Sequence, residues 1–260
     1  MDFTRIKYTV DRRTAVITLS RPDKHNALDD IMVEELSAAF QTALRDATVK
    51  VVLLRADGES FCSGADLAYL RRISTFDFNQ NQKDSLQLMK LFQQIYALRK
   101  PVIGLVQGAA LAGGCGLATV CDIVIAARET AQFGYTEVRI GFIPALVMVF
   151  LLRRVGESRA RELTLRGHTI GAEEAMEIGL VNSTVPAIEL DEAGRRLADE
   201  LITRNSGSSM GLVKELLGRI HGMSTTDALE YAANLNALTR MTEDCKKGID
   251  AFLRKEPLQW

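Results

Sequence analysis

Val102-Ile103-Gly104-Leu105-Val106-Gln107-Gly108-Ala109-Ala110-Leu111-Ala112-Gly113-Gly114-Cys115-Gly116-Leu117 is the stretch on which the fold turns. Its first five residues are apolar and rich in β-branched side chains, so a buried strand is expected there. Residues 108–116 follow as a loop of small residues. A helical stretch begins at its end and includes residues 117–120. Strand, small-residue loop and helix in that order point to layered α/β structure.

The same alternation extends in both directions. Ala15-Val16-Ile17-Thr18-Leu19 reads as a strand, and Arg21-Pro22-Asp23 as the turn after it. From about residue 30 to 47 the period changes. Met32, Leu36, Phe40 and Ala43 or Leu44 fall on one helical stripe. Asp29 or Asp30 suits its N-cap, and Glu34 and Glu35 suit its first turns. Val51-Val52-Leu53-Leu54 and residues 123–127 read as further buried strands. Leu88, Leu91, Phe92, Ile95 and Leu98 mark another amphipathic helix. After about residue 145 helical patterns dominate, with capping-box spacing at Ser224 and Asp227. Residues 71–85 (RRISTFDFNQNQKDS) are polar and weakly periodic, which fits either a mobile loop beside a site or an ordinary surface connection.

The chain has 260 residues, 47% hydrophobic and 25% charged. It is long enough for a substantial core, and disordered, collagen-like and coiled-coil classes are excluded. Lys and Arg number 32 against 33 Asp and Glu, so no global positive field attracts nucleic acid or anionic lipid. An anionic ligand must be held by local groups. The four cysteines, Cys62, Cys115, Cys121 and Cys245, form no C-x-x-C pair and read as reduced thiols. His25, His168 and His221 lack metal-ligand spacing, so no metal site is expected. The N-terminal residues lack a signal-peptide apolar region, and no apolar run is long enough to cross a bilayer. A cytoplasmic location is expected.

Three segments carry chemistry. Ser60-Phe61-Cys62-Ser63-Gly64-Ala65-Asp66-Leu67 follows a strand, and its small residues let a ligand approach the backbone. Residues 108–116 do the same before a helix start, where N–H groups are unpaired and partially positive. Two such loops side by side would offer two donors to one oxygen. The third segment, residues 131–144, sets the carboxylate of Glu137 among apolar residues. Singly, each has a bland reading: the glycine loop as a tight turn, Glu137 as an ion-pair partner of Arg139. Neither a Walker A loop nor a clean dinucleotide fingerprint is present.

In combination and order, the segments resemble the crotonase family, the enoyl-CoA hydratase/isomerase superfamily, over nearly the whole chain. Arg21-Pro22-Asp23-Lys24-His25-Asn26-Ala27-Leu28 is similar to its early coenzyme A contact. Residues 61–67 and 108–116 resemble its two oxyanion-hole loops, and residues 132–144 its catalytic-glutamate segment. Residues 171–175 with 179–181 resemble its helical linker, and residues 252–257 its C-terminal signature.

The resemblance implies a spiral of ββα units over residues 1–195, with a C-terminal helical region, residues 196–260, used for oligomerisation. It implies that the N–H groups of Ala65 and Gly113 face a thioester oxygen and that Glu137 moves protons. It implies contacts to coenzyme A from Lys24, Ala27, Ser63, Asp66 and Leu67, and from Phe252 and Lys255 near the nucleotide end. Lys24 equally fits a solvated turn, and Asp66 a loop stabiliser; Asp122 reads as structural. No cofactor is implied beyond the coenzyme A of the substrate. A homotrimer or dimer of trimers and a role in fatty acid metabolism are further implications.

Gly116 departs from the pattern, because two-carboxylate hydratases of the family carry a second Glu there. A single carboxylate suits an isomerase. Yet the runs around Gly114 and Glu137 look like bacterial hydratases of the methylglutaconyl-CoA hydratase-like type. Hydratase is therefore the first expectation, with isomerase and a non-catalytic acyl-CoA-binding subunit as alternatives.

Overall fold

The computed structural model describes residues 3–260. Strands β1 (Ile6–Asp11) and β2 (Thr14–Leu19) form an antiparallel hairpin. The two-residue turn is Arg12-Arg13, both at positive φ (43° and 67°). That conformation normally favours Asn-Gly, so β1 carried no recognisable turn signal in the sequence. β3 (Val51–Ala56), β4 (Val102–Val106), β6 (Ile123–Ala127) and β9 (Ser183–Val185) then add to β2 in parallel. The sheet order is β1-β2-β3-β4-β6-β9.

A second sheet holds three short strands, β5 (Ala109–Leu111), β7 (Gln132–Gly134) and β8 (Thr169–Gly171). The chain thus repeats one pattern. β4 leads into β5 and helix α4 (Gly113–Thr119); β6 leads into β7 and, past a short 3₁₀ turn, helix α5 (Ala145–Arg166). These are turns of a ββα spiral, and the α/β fold with a helical C-terminal region is as the sequence implied. The strand signal after residue 145 survives only as the three-residue strands β8 and β9.

Helix α1 (Asp30–Arg45) is capped by Asp29, whose side chain accepts from Met32 N–H. Its stripe of Met32, Leu36, Phe40 and Ala43 is fully buried. Residues 71–85 are not the extended loop their polarity suggested. Helix α2 covers Leu67–Ile73, and α3 runs from Phe78 to Ala97. Asp77 and Gln80 form a reciprocal capping box that starts α3 well before its apolar stripe. Its first turns project into solvent, Phe78 being exposed, so no periodicity marks them. Leu91, Phe92 and Ile95 are fully buried in the core.

Helix α6 (Ala172–Glu177) precedes β9, and α7 (Leu190–Arg204) packs on β3, β4 and β6. Helices α8 (Gly207–Ile220), α9 (Thr225–Thr239) and α10 (Glu243–Arg254) follow. α8 packs on α3 and α9, and α10 on α8. Val213, Leu217, Leu229, Leu238, Ile249 and Phe252 on these three helices are exposed. No helix among the described residues is long and apolar enough to cross a membrane.

Candidate active site

Strand register brings the three segments together. Cys62 bridges Ala110 in parallel, and Ala110 pairs with Phe133 in parallel. The rungs are closed by Cys62 N–H to Ala109 O (3.0 Å) and Leu111 N–H to Cys62 O (2.9 Å). Three stretches distant in sequence therefore run side by side in one direction. Ala65 and Gly113 each lie three residues beyond their rung, and Glu137 four. All three leave from the C-terminal ends of the parallel strands, where open α/β sheets present ligand sites.

A fourth segment is laced onto the first. Leu28 bridges Ala65, donating to Gly64 O and accepting from Asp66 N–H. Ser63 N–H donates to His25 O (3.0 Å). The organiser is Asn26, which is fully buried. Its Nδ2 donates to Asp57 O and Ser60 O, and its Oδ1 accepts from Arg21 N–H, each at 2.8 Å. Arg21 joins Ala27 O, Asp29 and Asp66. Neither Asn26 nor Arg21 was singled out from the sequence, although an Asn at a turn beside a strand end is a recognised loop former. Asn26→Ala strands Arg21 N–H and Asp57 O, while Ser60 O keeps its bond from Gln107 Nε2 (3.0 Å), and buried unsatisfied groups cost about 1–3 kcal/mol each. A melting temperature lowered by several degrees is expected in a thermal melt, with loss of activity because both loops shift.

The amides of Ala65 and Gly113 make no hydrogen bond to the described residues. The two loops touch: a side chain at Gly64 would begin 3.7 Å from Gly113 N and 3.0 Å from Ala112 Cβ. Ala112, the residue before the α4 helix, holds φ 50° and ψ −124°. Positive φ at an alanine is strained, and its ψ fixes the plane of the peptide carrying Gly113 N–H. The neighbouring bond from Ala112 N–H to Gly134 O (2.7 Å) helps to hold that geometry. Unpaired amides at a loop and at a helix start are what a developing oxyanion needs.

Glu137 opens the 3₁₀ turn Glu137–Ile140 and is only 8% exposed. Its Oε2 is buried without a hydrogen-bond partner. Burial pushes its carboxyl above the usual range, against a smaller opposing effect of its own backbone N–H. Arg139 does not pair with it; its side chain lies back against the position of Gly167. Behind it, Tyr135 Oη and Thr119 Oγ1 lie 2.7 Å apart, both buried. Burial also pushes the Cys115 thiol up to about 12, so it stays an inert thiol.

At Gly116 the position of a second acid is filled. A Cβ there would lie 2.0 Å from Val147 Cγ1 and 3.4 Å from Phe92 Cζ. An apolar wall stands where the two-acid pattern would place a carboxylate.

The other expected contacts divide into two groups. Lys24 is exposed at the end of the Pro22–Lys24 turn, Ala27 is buried beside it, and Ser63 is half-buried. Leu67 is 83% exposed on the first turn of α2. Asp66 caps α2, accepting from Ala68 and Tyr69 N–H. These residues adjoin the Ala65 loop. Phe252 and Lys255 lie on and just after α10, whose following tail is fixed by Arg13 Nη1 to Trp260 O (3.0 Å). Arg13 lies in the turn just before β2, at the opposite end of that strand from the Ala65 loop. Asp122 accepts from Val102 N–H and Lys214 Nζ (2.7 and 2.6 Å), a structural tie.

The ββα spiral thus brings the segments bearing two free amides and one buried carboxyl to the C-terminal ends of neighbouring parallel strands. The chain belongs to the enoyl-CoA hydratase/isomerase family, whose model matches residues 10–260. A Thermus thermophilus protein named "Putative enoyl-CoA hydratase" is 42% identical over 243 residues, covering 94% of this chain and 95% of its own. The short-chain-enoyl-CoA hydratase of Clostridium acetobutylicum is 31% identical, covering 100% of this chain and 98% of its own. The crystal structure of an enoyl-CoA hydratase from Shewanella pealeana superposes with TM-score 0.93 at 33% identity, covering 99% of this chain and 96% of that one.

Proposed function

We propose that this protein adds water across the double bond of a 2-enoyl-CoA thioester. The observation that supports the reading is the strand register, which runs the segments bearing the free amides of Ala65 and Gly113 alongside the segment bearing the buried carboxyl of Glu137. In the proposed reaction, ionised Glu137 takes a proton from water as the water oxygen bonds the β-carbon. The π electrons move onto the thioester oxygen, where the two amides stabilise the enolate. Glu137 then returns the proton to the α-carbon. Donors fixed in advance stabilise that growing charge more than the ground-state carbonyl, and one such donor is typically worth about 10²–10³ in rate.

Lys24, Ala27, Ser63, Asp66 and Leu67 would line the coenzyme A end, with Lys24 toward phosphate. Phe252 and Lys255 would serve a neighbouring copy, in a homotrimer or dimer of trimers built through the helices after residue 195. Their exposed apolar side chains support that assembly. A cytoplasmic role in fatty acid metabolism completes the reading.

The apolar wall at Gly116 favours a second reading, in which Glu137 alone moves a proton between carbons and shifts a double bond. Mass spectrometry of products from 2-enoyl-CoA and 3-enoyl-CoA thioesters decides between them. A product heavier by one water from the 2-enoyl substrate is expected. A shifted double bond with no hydroxyacyl product would establish the isomerase instead, and tight coenzyme A binding without turnover would establish a non-catalytic subunit.

A further inference from the structure

We propose that Val147, backed by Phe92, is the end-stop of the acyl subsite, so that the enzyme selects short acyl chains. The proposal rests on the acyl-CoA reading above and gives its substrate class. Val147 lies in the first turns of α5 and is 3% exposed. Its Cγ1 stands 2.0 Å from where a side chain on Gly116 would begin. Gly116 is three residues along α4 from Gly113, about 4.5 Å of helix rise. The segment leading into α5 is tied to the catalytic turn by Phe142 N–H to Glu137 O (3.1 Å). Val147 therefore sits where the wall bearing the Gly113 amide meets the wall bearing Glu137.

Space lies on the far side of Phe92. A cleft of about 660 Å³ opens between α3, α5 and α8, lined by apolar side chains including Met89, Phe92 and Phe150 and by charged ones including Arg153, Lys214 and Glu215. Its size falls within the range of small-ligand pockets. Phe92 belongs to both sides. It lines the cavity, and its Cζ is 3.4 Å from the Gly116 position. Edge-to-face contact with Phe150 (centroids 6.3 Å apart) holds the ring across the boundary. An acyl chain growing from the thioester meets Val147 and Phe92 first. Trimming Phe92, or Val147 in front of it, opens a way from the acyl subsite past the Phe92 ring into this cleft, whose apolar side accepts the rest of a longer chain.

The test is equilibrium binding of unreactive saturated thioesters, butyryl-, octanoyl- and dodecanoyl-CoA, to the wild type, Val147→Ala and Phe92→Leu. Wild-type affinity should fall by at least ~10-fold from butyryl to dodecanoyl, the scale on which a pocket rejects excess methylenes. The dodecanoyl-to-butyryl affinity ratio should rise by at least ~10-fold in one or both variants. A wild type that binds dodecanoyl-CoA as tightly as butyryl-CoA overturns the proposal whether or not the variants fold. So does a ratio unchanged in both folded variants. Failure of the parent reading looks different: the wild type then binds no acyl-CoA of any length.

Discussion

Glu137→Gln is expected to lower turnover of a 2-enoyl-CoA thioester by about 10²–10⁴-fold, the usual worth of a positioned acid–base group. The amide is isosteric and carries no charge, so the fold should persist. Stability should respond in the opposite sense to activity. Burial raises the Glu137 carboxyl above its usual value, because the charged form loses water that its own backbone N–H only partly replaces. A raised folded-state pKa means that the neutral carboxyl's stabilising contribution is complete at pH below the ordinary carboxylate value. It is lost as pH rises through the raised value. The Gln variant never ionises. Its melting temperature relative to the wild type should therefore climb over that same window. Calorimetry of both proteins from about pH 4 to pH 8 reads the difference, a span that covers ordinary and raised carboxylates. The rate profile of the wild type should show an acidic limb above the ordinary carboxylate range, since the ionised form takes the first proton. Parallel melting curves together with undiminished turnover in the variant would remove Glu137 from the chemistry.

Gly114→Ala should do comparable damage without touching a reacting group. The new Cβ would lie 2.1 Å from Cys62 O and 2.7 Å from its carbonyl carbon. That oxygen accepts the Leu111 N–H, so it cannot retreat without breaking the rung that aligns the two loops. Overpacking of this kind costs about 1–3 kcal/mol. For a chain this size that is roughly 2–4 °C of melting temperature per kcal/mol. Activity should fall on the order of 10²–10³-fold, as if one donor had been removed. Gly113→Ala provides the steric contrast, since its Cβ would meet only Leu28 Cδ1, at 3.5 Å, and should leave the melting temperature nearly unchanged. Full activity in a folded Gly114→Ala protein would mean that the Cys62–Ala110 alignment does not set the site.

Much of this was legible in the chain because it was written in patterns with a period. The stripes of α1 and of the second half of α3, and the apolar runs of β2, β3, β4 and β6, follow from spacing alone. The chemistry-bearing segments were legible as a set, since small residues after strands and one acid among apolar neighbours have few other uses in that order. What escaped has physical reasons. β5, β7 and β8 are three residues each, too short for alternation to show. The Arg12-Arg13 turn uses residues that do not advertise positive φ. The first turns of α3 bury nothing, so only a capping pair records them. The filling of the Gly116 position by Val147 joins residues 31 apart, and no local rule couples them.

The Ala112 backbone has a consequence for how such a protein can change. Main-chain amides have no codon of their own, and any residue but proline at positions 65 and 113 still supplies one. Heritable variation reaches them only through neighbours that steer the peptide planes: Ala112 at φ 50°, Gly114 against Cys62, and the Asn26 lattice. A saturation library scored for turnover should therefore display its deepest intolerance at bystanders that meet no substrate. Ancestral drift in the acyl preference, by contrast, would be free to run through side chains such as the one at 147.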